Sequence, residues 1–282
     1  MKNRIWLKNP VIEENTIEYS LKDGLRLMGK PYYKRLVHSF VNTKILQTPG
    51  FVYYKYKSRV KTDKEITACF EKLASLIGTL NQRYGSLYVV EDQGEDYTNS
   101  KIPVSMTNQE TGMHTDSSAH DYFPEIVGLC CLQPSAEGGE LMLSNGANYY
   151  ADTLLNSPEI IRQLEQNFIR DLVTPGMEKS LELLRMNRFP VFKKGYNEFL
   201  VRYMRYWIER GTLESGELLG ENAALAMDHF DEYLNNSANL FTVKMQKGDM
   251  IFFNNTFLLH GRTRYYDNAG IKRKMLRAWI DL

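Results

Sequence analysis

Three residues of the sequence have side chains that could together hold a divalent metal. His114 and Asp116 stand two positions apart, and on an extended segment residues at this spacing point to the same face. A third ligand is needed, and His260 is the natural candidate, because it follows a turn and an apolar strand. Two histidines and one carboxylate that leave open coordination positions suit non-haem Fe(II) and oxygen chemistry. We therefore expect the fold to bring these three residues together.

Other catalytic signatures do not occur in the sequence. It contains no HExxH, no CxxC pair, no P-loop and no GxGxxG. Zinc could occupy a site of two histidines and one carboxylate, but hydrolytic zinc sites usually place their ligands on a helix. The sequence therefore favours iron over the chemistries that those motifs support.

Two arginines near the end of the sequence form a second candidate site. The segment 272–280 has the pattern of a strand, which places Arg273, Met275, Arg277 and Trp279 on one face. An arginine that faces the inside of a barrel is costly unless it meets an anion. Two on one face imply two anionic groups, or one anion and a buried acidic partner, so a dicarboxylate and an acidic substrate would both fit. The alternative is an edge strand with its arginines in water.

Composition narrows the class of protein. The chain has 282 residues, of which 43% are hydrophobic, so it can bury a sizeable core. Its formal charge of +1 argues against a nucleic-acid or polybasic membrane surface. No apolar run approaches the roughly 20 residues of a membrane span, and the polar N-terminus does not resemble a signal peptide. Three cysteines are too few for a disulfide framework, which predicts a cytoplasmic location.

The elements that must position these residues change character along the chain. Apolar spacing predicts helices over 32–46 and from Thr62 or Asp63 to about Leu80. From about Ser86, short apolar segments alternate with turn signals, and two more helices are predicted near 158–167 and 217–234. We predict an α+β fold with a mainly β core, a β-barrel or jelly roll with supporting helices.

The domain organisation follows from the absence of any linker rich in Pro, Gly and Ser. We expect a single domain over 1–282, in which 1–85 form helical and strand support and 86–282 form the core with a helical insert. The segment 168–188 contains Pro175-Gly176 and mixed charge. It could be a lid that orders over a substrate or an ordinary connecting loop.

Taken together, four pieces of the sequence resemble a known family. They are the His-Thr-Asp at 114–116, the Gly-Gly-Glu at 138–140, the His-Gly-Arg-Thr at 260–263 and Arg273. In order and spacing they resemble the Fe(II)/2-oxoglutarate-dependent oxygenases of the taurine dioxygenase, clavaminate synthase and γ-butyrobetaine hydroxylase group. The resemblance implies a double-stranded β-helix, or jelly roll, with helices packed outside.

The resemblance also implies roles for the candidate residues. His114, Asp116 and His260 would bind Fe(II). Arg273 would hold the distal carboxylate of 2-oxoglutarate, and O₂ would be the other cosubstrate. Because the halogenating relatives have Gly or Ala in place of the carboxylate ligand, Asp116 implies hydroxylation, with release of succinate and CO₂.

One position departs from the family pattern. Many members have a threonine after Gly-Gly-Asp/Glu, and its hydroxyl bonds 2-oxoglutarate, whereas this sequence has Leu141. Another hydroxyl could substitute, with Ser105, Thr107 and Ser144 as the candidates. Otherwise the cosubstrate pocket is looser.

Substrate contacts are predicted at three residues. Arg277 occupies the place where the taurine and clavaminate branches often bind the acid group of the substrate. Glu110, just before the His-Thr-Asp, could meet a substrate ammonium, and Arg205 or its neighbour Arg202 could lean into the site. For each of the last three, a solvated or structural role is the alternative. These residues favour an amino acid, a sulfonate or a similar small acid.

Three functions remain open from the sequence. The first is hydroxylation of a free amino acid or derivative by Fe(II) and 2-oxoglutarate. The second is the same chemistry on an aminoacyl group tethered to a carrier protein in a natural-product pathway. The third is a metal-binding β-barrel without turnover, against which the intact set of ligands and Arg273 argues.

Overall fold

The computed structural model describes residues 16–19, 31–47, 49–57, 62–95, 103–171, 180–195 and 198–282. Its helices are α1 (Pro31–Phe40), α2 (Asp63–Ile77), α3 (Gly146–Asn156), α4 (Pro158–Leu164), α5 (Leu181–Met186), α6 (Arg205–Ser215) and α7 (Glu221–Asn235). A π-helical turn, Val41–Ile45, extends α1, and short 3₁₀ turns lie at Val104–Met106 and Ser237–Asn239.

The strands account for most of the core. They are β1 (Thr16–Tyr19), β2 (Phe51–Tyr56), β3 (Thr79–Leu80), β4 (Tyr88–Glu91), β5 (Thr111–His114), β6 (Ile126–Gln133), β7 (Glu137–Gly138), β8 (Leu141–Asn145), β9 (Phe168–Ile169), β10 (Arg188–Phe189), β11 (Phe192–Lys194), β12 (Phe199–Val201), β13 (Phe241–Val243), β14 (Met250–Asn254), β15 (Leu258–Arg262), β16 (Tyr265–Tyr266) and β17 (Lys274–Asp281). The predicted strands near 126–132, 250–253 and 275–280 are confirmed.

The larger of the two main sheets has seven strands. Its order is β1-β2-β14-β6-β17-β3, and β4 also pairs with β17. Only β1 and β2 run parallel among its described strands, and the other pairings are antiparallel. Because the central strands are covered on both faces, β14 is buried along its whole length.

A second sheet of four antiparallel strands, β13-β8-β15-β5, packs against the larger one. The rings of Phe51 on β2 and Phe241 on β13 lie 4.6 Å apart between the sheets. On the other face of the large sheet, Phe252 of β14 stacks on Phe70 of α2 at 5.5 Å. The fold is therefore α+β with a mainly β core, as the sequence predicts.

Helix α2 forms where its sequence signals predict. The Thr62 hydroxyl accepts a hydrogen bond from the Glu65 backbone N–H, and the Glu65 carboxylate accepts one from the Thr62 N–H. This reciprocal cap satisfies two of the free donors of the first turn. The apolar stripe of the helix is buried against the large sheet, at Ile66, Phe70, Leu73 and Ile77.

The helical insert lies between β8 and β13 and is richer in helices than the sequence prediction. Helices α4 and α7 confirm the predicted pair, but α3, α5 and α6 were not predicted. Asn145 caps α3 by accepting from the backbone N–H of Ala147 at 2.9 Å. Gly211 lies inside α6, where local propensity is poor, yet a Cβ there would lie 2.7 Å from the Asp171 nitrogen. Close packing, not propensity, stabilises that helix.

The segment 168–188 contributes strand β9 and helix α5. Residues 172–179, which include Pro175-Gly176, lie outside the described residues, so the predicted lid stays a prediction. Within the described part of the chain, no helix combines the length and the apolar character required to cross a bilayer.

Candidate metal centre

The fold brings the three predicted metal ligands to one point. One donor atom from each of His114, Asp116 and His260 lies within 4.8 Å of the others. Nε2 of each histidine is 3.9 Å from Oδ1 of Asp116. This set of two imidazoles and one carboxylate matches the donor chemistry that the spacing predicted.

Strand pairing explains how two histidines far apart in sequence become neighbours. His260 on β15 pairs directly with His114 at the end of β5, and the two strands are antiparallel. Directly opposed residues in such a ladder project side chains to the same face. Accordingly, the imidazole centroids are only 4.2 Å apart.

One hydrogen bond fixes the tautomer of His114. Its Nδ1 lies 2.8 Å from the carbonyl oxygen of Gly112, which can only accept. Nδ1 therefore donates, and Nε2 keeps its lone pair for a metal.

Asp116 lies beyond the strand, in contrast to the extended segment that the sequence analysis assumed. Strand β5 ends at His114, and a turn begins at Asp116. The buried side chain of Asn255 holds this turn: its Oδ1 accepts from the Asp116 N–H at 2.8 Å, and its Nδ2 donates to the Asp116 carbonyl at 3.1 Å. Ser117 next to it has φ of 60°, the left-handed conformation. The carboxylate therefore reaches the histidines from a braced turn.

Strand β17 supplies two donors to the Asp116 carboxylate. Arg277 Nη1 donates to Oδ1 at 3.0 Å, and Trp279 Nε1 donates to Oδ2 at 2.7 Å. The side chain of Asp116 is only 5% exposed. A buried carboxylate needs such partners. The sequence analysis placed Arg277 and Trp279 on one face but assigned neither to Asp116.

The electrostatic surroundings keep all three groups in the form that binds a metal. Burial lowers the pKa of His260 to about 3, assisted by His114, and burial also lowers the pKa of His114. Burial alone would raise the pKa of Asp116, but Arg277 and the two histidines hold it below its usual value. At neutral pH the imidazoles are uncharged and the carboxylate is ionised.

A cavity next to the histidines is lined by cations. Beside His114 and His260, its lining includes the cations Arg262, Arg273, Arg277 and Lys244, and none of the described residues in it has a carboxylate. Such a surface favours an anionic ligand. Arg273, predicted to bind the distal carboxylate of a diacid, is thus located beside the metal centre.

The guanidinium of Arg273 is buried and suited to binding an anion. It is 8% exposed, its guanidinium lies 5.0 Å over the Tyr265 ring, and its buried Nη1 has no hydrogen-bond partner within the described part of the chain. Burial lowers its pKa, and Tyr265 opposes that effect. A buried guanidinium with a free donor is costly unless an anion satisfies it.

A second, wider cavity shares Ser105, His114 and Arg277 with the first. Its wall carries Asp116 and a set of aromatic side chains, namely Tyr84, Tyr88, Trp207 and Trp279. Two cavities therefore meet at the metal centre, one cationic and one that combines four aromatic rings with polar groups.

The remaining predicted substrate residues lie elsewhere. Glu110 is exposed and lines neither cavity. The guanidinium of Arg205 is engaged by three carboxylates, those of Glu209, Asp228 and Asp231. The guanidinium of Arg202 lies 3.6 Å over the Phe189 ring. Their substrate roles stay predictions.

The candidate hydroxyls around Leu141 are distributed unevenly. Leu141 is buried and lines the cationic cavity, as does Ser105. Thr107 donates instead to the Val104 carbonyl at 2.9 Å. Ser144 is buried and absent from the lining of both cavities. Ser135, which the sequence analysis did not consider, also lines the cationic cavity.

Comparison with known proteins identifies the class to which this fold and site belong. The family described as taurine catabolism dioxygenase TauD, TfdA family matches residues 46–279, and the chain belongs to this family. FR-33289 synthase of Streptomyces rubellomurinus is 26% identical over 202 residues, which cover 68% of this chain and 56% of that protein. Human γ-butyrobetaine dioxygenase is 25% identical over 209 residues, 73% of this chain and 54% of that protein. The chain thus matches about half the length of these curated relatives.

Solved structures share the fold at low sequence identity. The asparagine oxygenase AsnO has a TM-score of 0.68 with 14% identity, over 92% of this chain and 82% of that one. The non-haem iron oxygenase OrfP, in complex with Fe, succinate and (3R,4R)-dihydroxy-L-Arg, has a TM-score of 0.65 with 14% identity, over 93% and 84% of the two chains.

Proposed function

We propose that this chain is an Fe(II)- and 2-oxoglutarate-dependent dioxygenase that hydroxylates an unactivated C–H bond of a small acid, with release of succinate and CO₂. The substrate class is a free amino acid or an amino-acid derivative. The observation that carries the proposal is the convergence of His114, Asp116 and His260 beside a cavity in which the described residues supply four cations and no carboxylate.

The residues of the site fit the Fe(II) ion and the 2-oxoglutarate that the family implies. The set of two histidines and one carboxylate is clustered, and its His114 Nε2 is free because Nδ1 is bound to a carbonyl. The orphaned donor of Arg273 suits the distal carboxylate of 2-oxoglutarate. When bound, Fe(II) with 2-oxoglutarate and O₂ supplies the oxidising chemistry that protein side chains lack.

The side chains of the chain bind and orient the reactants. His114, Asp116 and His260 hold the metal where the two cavities meet, so the cosubstrate and the substrate reach it from different sides. Arg273 fixes the diacid, and Arg277, at the junction, is placed to receive the acid group of the substrate. The aromatic wall of the wider cavity excludes water from the reacting centre.

The ligands bound to structural relatives support the substrate class. Asparagine oxygenase has been solved with Fe(II), 2S,3S-3-hydroxyasparagine and succinate, and OrfP with hydroxylated L-Arg. Both ligands are hydroxylated amino acids accompanied by the diacid product. By this likeness we assign the present chain an amino-acid substrate and hydroxylation rather than halogenation, since Asp116 is present.

The proposal extends to the architecture and the location. We infer that the two main sheets form the double-stranded β-helix of a single domain over 1–282, with 1–85 as support. The pairing of β15 with both β8 and β5 supports this architecture. The buried, unpaired Cys69, Cys130 and Cys131 support a reducing cytoplasmic location.

A substrate panel scored by succinate release tests the proposal. The purified chain is incubated with Fe(II), 2-oxoglutarate and O₂, and each amino acid is offered both free and attached to a carrier protein. We expect succinate release to rise with a free amino acid and to vanish in Asp116→Ala, whereas Asp121→Ala, on the exposed loop nearby, retains activity. Release confined to carrier-bound substrates would reassign the substrate, and no release under either condition would leave a metal-binding barrel without turnover.

A further inference from the structure

The cationic cavity contains a lysine that the proposed function has not used. Lys244 follows β13 and lines the cavity together with Arg273 and Ser135. Its ammonium donates to the Ser135 hydroxyl at 3.0 Å and to the Gly138 carbonyl. Ser135 Oγ in turn lies 2.8 Å from the same carbonyl oxygen. The lysine is therefore anchored at the cavity wall rather than extended into solvent.

The loop of Gly138 and Gly139 brings this lysine and serine toward Arg273. Gly139 has φ of 76°, a conformation that favours glycine. A Cβ on Gly139 would lie 2.6 Å from Ser135 Oγ and 3.4 Å from Arg273 Nε. The hydroxyl and the guanidinium thus border the same small space, which only a residue without a side chain leaves open.

The Cys131 thiol is affected by both cations. Burial raises the pKa of Cys131 to about 12, while Arg273 and, more weakly, Lys247 and Lys244 act in the opposite direction. Cys131 lines the same cavity. Lys244 and Arg273 therefore act on one region of the cavity wall.

The charges of the cavity are only partly compensated. Arg277 is paired with Asp116, and Arg262 donates to the backbone carbonyls of Thr107 and Gln109. Arg273 Nη1 has no partner among the described residues, and the two acceptors of Lys244 named above are neutral. The Glu140 carboxylate accepts from the Thr263 hydroxyl and is not part of the lining. Glu140 interacts with Lys244, and Asp267 with Arg273, through charge alone, and neither carboxylate is part of the described lining. Lys244 and Arg273 therefore have no acidic hydrogen-bond partner in the described wall of the cavity.

We propose that Lys244 acts with Arg273 as a clamp for the distal carboxylate of the bound 2-oxo acid, and that Ser135 holds the ammonium of Lys244 in place. Ser135 donates its proton to the Gly138 carbonyl, and Leu141, in the same wall, offers no hydrogen bond, so the ammonium of Lys244 supplies the polar contact beside the guanidinium. Two cationic donors on one carboxylate select a diacid over a 2-oxo acid that ends in a methyl group. Lys244 is then a specificity-determining residue. The inference rests on the proposed function, because it takes 2-oxoglutarate as the ligand.

Binding measurements test the clamp without requiring turnover. Anaerobic protein with Fe(II) is titrated with 2-oxoglutarate and, separately, with pyruvate, which keeps the keto acid but lacks the distal carboxylate. The visible absorption band of the complex and isothermal titration calorimetry report the dissociation constants. Lys244→Met should weaken the binding of 2-oxoglutarate about 10- to 100-fold, as expected for losing a hydrogen bond to a charged group. The dissociation constant of pyruvate should stay within about twofold of that of the parent chain.

Controls separate the clamp from other effects. Lys247→Met removes a nearby lysine that pairs with Asp63 and lines neither cavity, so both ligands should bind as in the parent chain. Lys244→Arg keeps the cation and should retain most of the affinity for 2-oxoglutarate. Ser135→Ala provides a second test of selectivity if circular dichroism shows that Lys244→Met does not fold.

The possible failures are distinguishable. If the parent chain with Fe(II) binds no 2-oxoglutarate, the proposed function itself is wrong. If the parent binds it and Lys244→Met binds it equally well, or loses pyruvate and 2-oxoglutarate alike, the clamp is wrong while the proposed function stands.

Discussion

The indole N–H of Trp279 donates to Oδ2 of Asp116 at 2.7 Å and thereby fixes the rotation of that carboxylate. The other oxygen, Oδ1, faces both histidines, at 3.9 Å from each Nε2, and also accepts from Arg277 Nη1 at 3.0 Å. The indole thus engages the oxygen that a metal would not need. A carboxylate held in this way presents a single oxygen to the metal.

Replacing Trp279 with phenylalanine should lower metal affinity while preserving the fold. The ring of Trp279 packs at 5.3 Å from Tyr84, and phenylalanine keeps most of that contact but loses the N–H donor. Loss of a hydrogen bond that orients a metal ligand typically costs about 10- to 100-fold in metal affinity or activity. Equilibrium binding of Fe(II) or Co(II) measures the effect. Trp207→Phe in the same cavity wall is the matched control, and equal affinity in the two variants would show that the indole does not orient Asp116.

Arg273 and Arg277 offer a paired test, since they stand four residues apart on one face of the chain. Arg273→Met should raise the 2-oxoglutarate requirement about 10- to 100-fold, because the distal carboxylate loses a charge-assisted partner. Arg277→Met should raise the KM for the prime substrate more than the KM for 2-oxoglutarate, because Arg277 lies at the junction of the two cavities. Steady-state KM values for both substrates in each variant check the assignment. An effect of Arg277→Met on 2-oxoglutarate alone would contradict the substrate role.

The stability of the chain in EDTA should fall on acidification. Burial lowers the pKa of His260 to about 3, whereas in the unfolded chain it titrates near the ordinary value of about 6.5. Between these values the unfolded state binds a proton that the folded state does not. The unfolding free energy therefore decreases with falling pH across this window, by at most about 1.4 kcal/mol per pH unit per histidine. His114, with its lowered pKa, acts in the same direction, and Asp116 adds to the loss only below about pH 4.

Urea unfolding at about pH 7 and about pH 5 measures that slope. His260→Gln should flatten it, because glutamine does not titrate. His38→Gln, which changes an exposed histidine on α1, should leave the slope unchanged. A parent chain equally stable at both pH values would mean that His260 is not held neutral by its burial.

The candidate metal ligands could be predicted from the sequence because their chemistry is local. His114 and Asp116 form a short motif, and His260 follows a recognisable strand. The alternation along β17 also placed Arg273, Met275, Arg277 and Trp279 together, and Met275 is buried in the core between the sheets while Leu276 faces α2. Periodicity shows which residues share a face.

Such patterns do not predict contacts between residues that are distant in sequence. Asn255 holds the turn at Asp116, and Lys244 lies on the wall of the cationic cavity, but neither has a spacing that distinguishes it from an ordinary loop residue. Arg277 was matched to a substrate anion, and this stays a prediction, but no pattern indicated that Arg277 also donates to Asp116. These contacts depend on which strands become neighbours, and that is set by the packing of the whole chain.

Replacing Arg170 should destabilise the chain strongly, because its guanidinium bonds several backbone carbonyls. Its side chain is fully buried, and burial lowers its pKa to about 9. The guanidinium donates to four backbone carbonyls, namely Ser118, Phe189, Pro190 and Arg202. Because Ser118 belongs to the turn after Asp116, this side chain ties the metal centre to the helical insert. Arg170→Met would leave these carbonyls buried without a donor, which we expect to cost about 3 to 5 kcal/mol of unfolding free energy.

Urea denaturation of three variants distinguishes the role of the Arg170 hydrogen bonds from a general effect of losing an arginine. Arg188→Met removes an exposed ion pair with Glu217 and should change stability by no more than about 1 kcal/mol. Arg170→Lys keeps the charge but lacks the planar fork that reaches several carbonyls at once, so it should recover less than half of the loss. If Arg170→Met were as mild as Arg188→Met, the four carbonyls would not depend on this guanidinium, and the link between the helical insert and the turn after Asp116 would be of little importance for stability.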